Sequence, residues 1–300
     1  MNDRKESCAF AHSAMHTRYE IFMHHDDRVY ASQAAAEAFR ILDGLEQALS
    51  LFISNSDVSR LNNAAGKPVV VGLDAFECIQ KAVDLSRLTG GAFDVTAKSG
   101  GRFPPSWETI TLDGNNYSIT MAAAVRVDLG GIGKGFAVDR MADVLREWEI
   151  GNALIHGGAS TAFAMGHARP HGSGFQPDGS GWKVTVSVPE PLEGPEAFGG
   201  SSGTSRHILE TLFLENGALG GSGMEKGPHI IDPQSGKPVS GRTAAWALAP
   251  DAVSADVLST AFMIMMPEAI DGLCADHPAF GALTVTAGGR IHRSGRWIQE

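Results

Sequence analysis

Asp128-Leu129-Gly130-Gly131-Ile132-Gly133-Lys134-Gly135-Phe136-Ala137-Val138-Asp139 is the stretch from which the rest of the chain is read. Four of the six positions 130–135 are glycine, the residue used where a Cβ is not tolerated or φ must be positive. Upstream, Val125, Val127 and Leu129 alternate with Arg126 and Asp128, which predicts a strand. Downstream, Val138, Met141, Ala142, Leu145 and Trp148 recur at helical spacing, with Gly151 placed for a C-cap. A strand, a glycine-rich turn and a helix N-terminus together form an anion site, so the turn is a candidate for holding phosphate or pyrophosphate. The plainer alternative is a tight strand–helix connection without a ligand.

The two common phosphate motifs do not fit. A Walker loop needs a hydroxyl after its lysine and a glycine at its start. Here Gly135 follows Lys134, and Asp128 stands at the first glycine position. The dinucleotide fingerprint needs Gly-x-Gly-x-x-Gly, whereas this turn spaces Gly131, Gly133 and Gly135 evenly.

The rest of the chain predicts alternating classes of element. Strands are expected at Arg18 to His25, Ala153 to His156, Trp182 to Val188, His207 to Leu214 and Thr243 to Leu248. Hairpins are expected around Asp113-Gly114-Asn115-Asn116 and around Ala287-Gly288-Gly289, the latter joining Ala282–Thr286 to Arg290–Ile298. Helices are expected from a Ser32 cap to Leu49, from an Asp74/Glu77 capping box to Gly90-Gly91, and from a Ser254 cap to Met265. Gly166 to Gly181, rich in Gly, Pro, Ser and His, predicts a surface loop or flap. Neighbouring hairpins imply antiparallel pairing, and the class is α+β or mixed α/β.

Composition narrows the function classes. With 300 residues, 43% hydrophobic and 19% charged, the chain suits one large domain or two intimate lobes. A net charge of −10 argues against a nucleic-acid partner, which calls for a basic face. Cys8, Cys78 and Cys274 are odd in number and widely spaced, which suggests neither a disulfide framework nor a thiolate metal site. Met1 to Ser13 lacks an apolar core, and no run of 18 apolar residues exists, so the expectation is a cytoplasmic chain without membrane insertion. A native leader, if removed, would change that expectation to a periplasmic or membrane-anchored one.

Two further groupings carry chemistry. Asp256 and Thr260 stand four apart on a predicted helix, which places a carboxylate and a hydroxyl on one face. Two hard oxygens near a pyrophosphate suit Mg²⁺, and helix capping is the alternative. His229-Ile230-Ile231-Asp232-Pro233-Gln234-Ser235-Gly236 joins a histidine to a turn signature. His229 fits either a general base or a structural hydrogen bond.

In combination these stretches resemble the FAD:protein FMN transferase family, the ApbE-like flavin transferases. Eight segments match in order: Ala14 to Thr17, Ser50 to Asn62, Gly91 to Thr96, Asp128 to Asp139, Leu154 to Gly158, Gly221-Ser222-Gly223, the His229 segment, and Ala255 to Ala261. The resemblance implies a single flavin transferase domain over 14–300, after a disordered N-terminus at 1–13. It implies two intimately packed lobes of largely antiparallel sheet with flanking helices, and FAD bound in the cleft between them. It implies Mg²⁺ held by Gly133, Asp256 and Thr260, an FAD site lined by Met15, Phe52, Ala92, Phe93, Asp94, Gly130, Lys134, Phe136 and Ile230, and His229 as the base that deprotonates the acceptor, with Asp256 also catalytic. The implied reaction moves FMN from FAD to a Ser or Thr hydroxyl of an acceptor protein and releases AMP. A Mg²⁺-dependent FAD pyrophosphatase and a non-catalytic FAD-binding protein are the alternatives. The family's acceptor pattern, Asp-x-x-Ser/Thr-Gly/Ser-Ala-Thr, does not occur in this sequence, so action in trans is expected. His16 replaces a family glycine, Phe52 stands where Tyr is common, Gly133 where Ala is more frequent, and Thr96-Ala97-Lys98-Ser99 where Thr-Val-Gly-Pro is usual.

Overall fold

A computed structural model describes residues 6–99, 106–168, 181–189, 206–227 and 229–298. The chain enters as a hairpin, β1 (Glu6–Ala14) and β2 (Thr17–His25), followed by α1 (Arg28–Leu49) and α2 (Asp57–Asn62). Next come β3 (Val69–Val70), α3 (Leu73–Leu88), β4 (Thr111–Asp113) and β5 (Ser118–Thr120), whose strands form a small sheet in the order β3-β5-β4. α4 (Gly133–Glu147) leads to β6 (Ala153–Gly157), β7 (Thr161–Met165) and a separate hairpin, β8 (Trp182–Pro189) with β9 (Arg206–Leu214). β10 (Gly217–Gly223), β11 (Arg242–Ala249), α5 (Ala252–Phe262), α6 (Pro267–Asp276), β12 (Gly281–Thr286) and β13 (Ile291–Gly295) complete the chain.

Eight strands form one antiparallel sheet in the order β1-β2-β6-β7-β10-β11-β12-β13. The class is α+β. Successive side chains of a strand point to opposite faces, so each strand serves two cores. Ile155, Ala218 and Ala247 face the core built with α1, α4 and α5, while their neighbours Leu154, Leu219 and Leu248 face Trp182, Val184 and Leu212 of the β8–β9 hairpin. The two packed lobes thus take the form of two cores on either side of a shared sheet.

α5 lies at the centre of the first core. Ten of its eleven residues are buried, all except Thr260. A helix that is apolar all round belongs inside, and Asp256 is its one charge. Two glycines let it approach so closely. A Cβ on Gly135 of α4 would stand 2.4 Å from the Ala252 carbonyl oxygen, and one on Gly220 of β10 would stand 2.1 Å from that of Ala255.

Several local expectations are corrected. Residues 6–13 are not disordered: they belong to β1, which pairs with β2 along its length, and residues 1–5 lie outside the described set. α1 starts at Arg28, because Asp27 accepts from the Val29 and Tyr30 amides, which leaves Ser32 inside the helix. α3 has Gly72 at its cap without a side-chain bond. Asp74 and Glu77 turn instead to Arg140 of α4. Asp251, not Ser254, caps α5, accepting from the Ser254 amide at 2.8 Å. α4 ends in a left-handed Glu149 at φ 55°, with the Ile150 amide bonded back to the Leu145 carbonyl, so Gly151 is not the cap. Most of the flap expected at Gly166 to Gly181 lies outside the described residues. Among the described residues, no helix is long and apolar enough to cross a membrane.

Candidate active site

The segment before the glycine-rich turn is not a strand. The Val127 amide donates to Asn62 Oδ1 at 2.8 Å, and its carbonyl accepts from Asn62 Nδ2 at 2.9 Å. One side-chain amide thus satisfies the groups a neighbouring strand would have paired, and backbone groups in the interior must find some such partner. The chain then turns through a 3-10 turn at Leu129–Gly131 into α4. Asp128 fixes that turn: Oδ1 accepts from the Gly130 amide at 2.8 Å, and Oδ2 pairs with Lys98 at 2.8 Å.

Close packing of α4 on α5 brings the distant segments together. Asp139 of α4 accepts from the Ala252 and Val253 amides at the start of α5, both at 2.8 Å. Burial raises its carboxyl to about 7, against the pull of those two amides. One turn into α5, Asp256 is 3% exposed and fully engaged. Its Oδ2 accepts from the Gly135 amide at 3.0 Å, its Oδ1 from Thr161 at 3.1 Å, and Lys134 Nζ is 3.2 Å from both oxygens. One turn further, the Thr260 hydroxyl lies 3.1 Å from Ser222 Oγ, which is itself 2.9 Å from Ser259 Oγ.

These groups open onto a cavity of about 590 Å³. Met15, Phe52, Ala92, Phe93, Asp94, Gly130, Gly133, Lys134, Asp256, Thr260, His229 and Ile230 all line it. Phe136 does not line it. Two residues along a helix is a turn of about 200°, so Phe136 faces away from Lys134 into the core, with the Arg140 guanidinium 4.9 Å above its ring. Asp94 reaches the cavity, but its oxygens accept from the Thr96 amide and hydroxyl at 2.7 Å and from the Trp107 amide at 3.3 Å. It pins its own loop.

His229 is exposed, and its Nδ1 lies 2.8 Å from the Gly227 carbonyl oxygen. A carbonyl oxygen only accepts, so Nδ1 is the donor, and in the neutral ring the lone pair then sits on Nε2. That tautomer suits a base. The oxygen donors at this point are the Asp256 carboxylate and the Thr161 and Thr260 hydroxyls, with the Lys134 ammonium beside them, and among the described residues no group of three His, Cys, Asp or Glu is placed to hold a metal ion. Hard oxygens with a single charge fit Mg²⁺, which completes its shell with phosphate oxygens and water.

Sequence reasoning missed Thr161, Lys98, Arg206 and Glu225, all on or beside this cavity. Arg206 of β9 holds Glu225 through two bonds of 2.8 and 2.9 Å, four residues before His229. None of these residues has a spacing signal: Thr161 and Arg206 arrive by strand pairing, Glu225 on the 3-10 turn after β10, and Lys98 on a turn beyond α3.

The ApbE family model matches residues 15–284. A FAD:protein FMN transferase of Haemophilus influenzae is 27% identical over 290 residues, covering 84% of this chain and 78% of that protein. One of Treponema pallidum is 25% identical over 324 residues, covering 89% and 83%. Among solved structures, an ApbE protein of Thermotoga maritima and the flavin transferase ApbE of Vibrio cholerae each superpose with a TM-score of 0.79 at 22% identity, covering 98% of this chain and 99% of theirs. The matched span takes in the glycine-rich turn, the Asp256 helix and the His229 segment, and the chain belongs to the ApbE family.

Proposed function

We propose that this chain transfers FMN from FAD to a Ser or Thr hydroxyl of an acceptor protein, with Mg²⁺, and releases AMP. The observation that carries this reading is the meeting, in one cavity, of a helix N-terminus rich in glycine, the Asp256–Thr260 oxygen pair and a histidine with a free Nε2. The names of the relatives point to the same chemistry.

The amides of the glycine-rich turn and the start of α4 would receive the pyrophosphate oxygens. Asp256, Thr260 and the Gly133 carbonyl would hold Mg²⁺, which supplies neutralisation of the charge that builds on the phosphates. His229 Nε2 would take the proton as the acceptor Oγ bonds to the phosphorus on the FMN side. The bond to the bridging oxygen breaks, and AMP leaves with that oxygen. Such phosphoryl-type transfer needs positioning and charge neutralisation more than covalent chemistry from the protein.

His229 is exposed, so water can compete with the acceptor, and FAD hydrolysis is the second reading. Incubation with FAD, Mg²⁺ and a protein carrying the family's acceptor pattern decides between them by mass spectrometry. The transferase reading expects the acceptor to gain the mass of FMN less water. AMP without modified acceptor establishes hydrolysis, and neither product leaves a binding protein. Flavin on the purified chain should be released on denaturation, since action is in trans.

A further inference from the structure

We propose that His16 is a ring-binding residue: with Phe52 it forms an aromatic corner that grips a planar heteroaromatic ring of the bound dinucleotide. The inference rests on the cavity being the FAD site.

The backbone gives the first reason. The β1–β2 register pairs Ala14 with Thr17, which leaves a two-residue loop, Met15-His16. Both residues are left-handed, at φ 50° and 57°. A two-residue hairpin of this kind wants Asn-Gly or Asp-Gly, because left-handed φ is costly for other side chains. Met15 has local compensation: its amide donates to Glu46 Oε1 at 2.8 Å, and the buried Tyr19 hydroxyl donates to its sulfur at 3.4 Å. His16 has none of that kind. Among the described residues its ring makes no hydrogen bond, and its one recorded ring contact is with Phe52. A strained residue whose side chain does nothing for the fold points to a task outside the fold.

Placement gives the second reason. His16 and Phe52 both line the cavity, and Phe52 is 83% exposed, the most exposed large apolar side chain in the chain's described residues. Their rings are 5.4 Å apart and inclined at 65°. Two aromatic walls at that angle accept a planar ring by stacking on one and edge contact with the other. The isoalloxazine and the adenine of FAD share this chemistry.

The test uses His16→Gly, His16→Asn and His16→Phe in the full chain. Gly and Asn tolerate the left-handed turn and lack the six-electron ring, whereas Phe keeps a ring and keeps the strain. The expected result is that Gly and Asn raise Tm by about 2 °C or more and weaken FAD binding by about threefold to tenfold, the scale of one aromatic pair. Phe should retain affinity and gain no stability. Binding of FMN and of ADP, measured separately, shows which ring sits in the corner: the one whose affinity falls. Unchanged affinity for FAD, FMN and ADP in His16→Gly overturns the proposal, as does weakened binding that His16→Phe does not restore. A wild-type chain that binds no FAD overturns the functional reading and this inference with it. A wild type that binds FAD as tightly as His16→Gly overturns this inference alone.

Discussion

The ammonium of Lys134 stands 3.2 Å from each carboxylate oxygen of Asp256, so the buried carboxylate of the cavity already has a counter-ion. A divalent cation approaching Asp256 meets that charge. Lys134→Gln should therefore tighten Mg²⁺ binding to the flavin-free protein by about tenfold, the scale of one neighbouring charge. Calorimetric titration reads this directly, and unchanged or weaker binding shows that lysine and metal do not share the carboxylate.

Asp256→Asn keeps the shape of the site and removes its charge. Transfer should fall below detection at any Mg²⁺ concentration while the protein remains folded. Asp256→Ala should also destabilise. It strips partners from the buried Gly135 amide and Thr161 hydroxyl, at a cost of about 1–3 kcal/mol for each group left unsatisfied. Denaturant unfolding of the two variants separates the effects. Near wild-type transfer by Asp256→Asn in excess EDTA contradicts the metal assignment.

Asp256, Thr260 and His229 stood out as candidates because four residues place two oxygens on one helix face and a turn signature marks the histidine segment, with capping and a structural hydrogen bond as the alternatives; only the resemblance gave them roles. Hairpins at Asp113–Asn116 and Ala287–Gly289 were legible from the same kind of local signal. β7 was not, because all five of its residues are buried and the alternation that marks a strand is missing. β10 was not read as a strand either, because its glycines break the alternation, yet Gly220 is what lets α5 touch the sheet. Helix starts slipped wherever two capping residues competed, as Asp27 with Ser32 and Asp251 with Ser254. The strand expected at Val125–Leu129 failed because Asn62, 65 residues away, supplies its partners.

Gly220 tests the packing argument. A Cβ there would lie 2.1 Å from Ala255 O and 2.8 Å from the Asp256 amide, so Gly220→Ala must push α5 off the sheet. Destabilisation of about 1–3 kcal/mol or more is expected, with loss of transfer, since Asp256 moves with its helix. Gly44 of α1 has nothing within 4 Å of its Cβ position, so Gly44→Ala should be stabilising by about 0.5–1 kcal/mol. Equal effects at the two sites contradict the close approach.

Stability should fall in acid through His156. Burial between strands of the main sheet lowers its pKa from the usual histidine value. The folded state therefore binds a proton less readily than the unfolded chain. The stability this contributes is complete above the unfolded pKa of about 6.5 and is lost as pH falls below it. His156→Gln should flatten the drop in Tm between about pH 7 and pH 5. A variant that tracks the wild type across that range removes His156 from the account.

His229 offers the sharpest kinetic test. Its Nδ1–H is tied to the Gly227 carbonyl, so Nε2 faces outward with its lone pair, and the residue contributes nothing to the core. His229→Ala should therefore leave Tm and FAD affinity near wild type while slowing transfer by about 10²–10⁴-fold, the range for a general base. Raising pH makes more of the acceptor hydroxyl reactive without help, so the gap between the two enzymes should narrow in alkaline solution. A variant that is slow yet keeps the wild-type pH profile assigns proton removal to another group and leaves His229 with a positioning role.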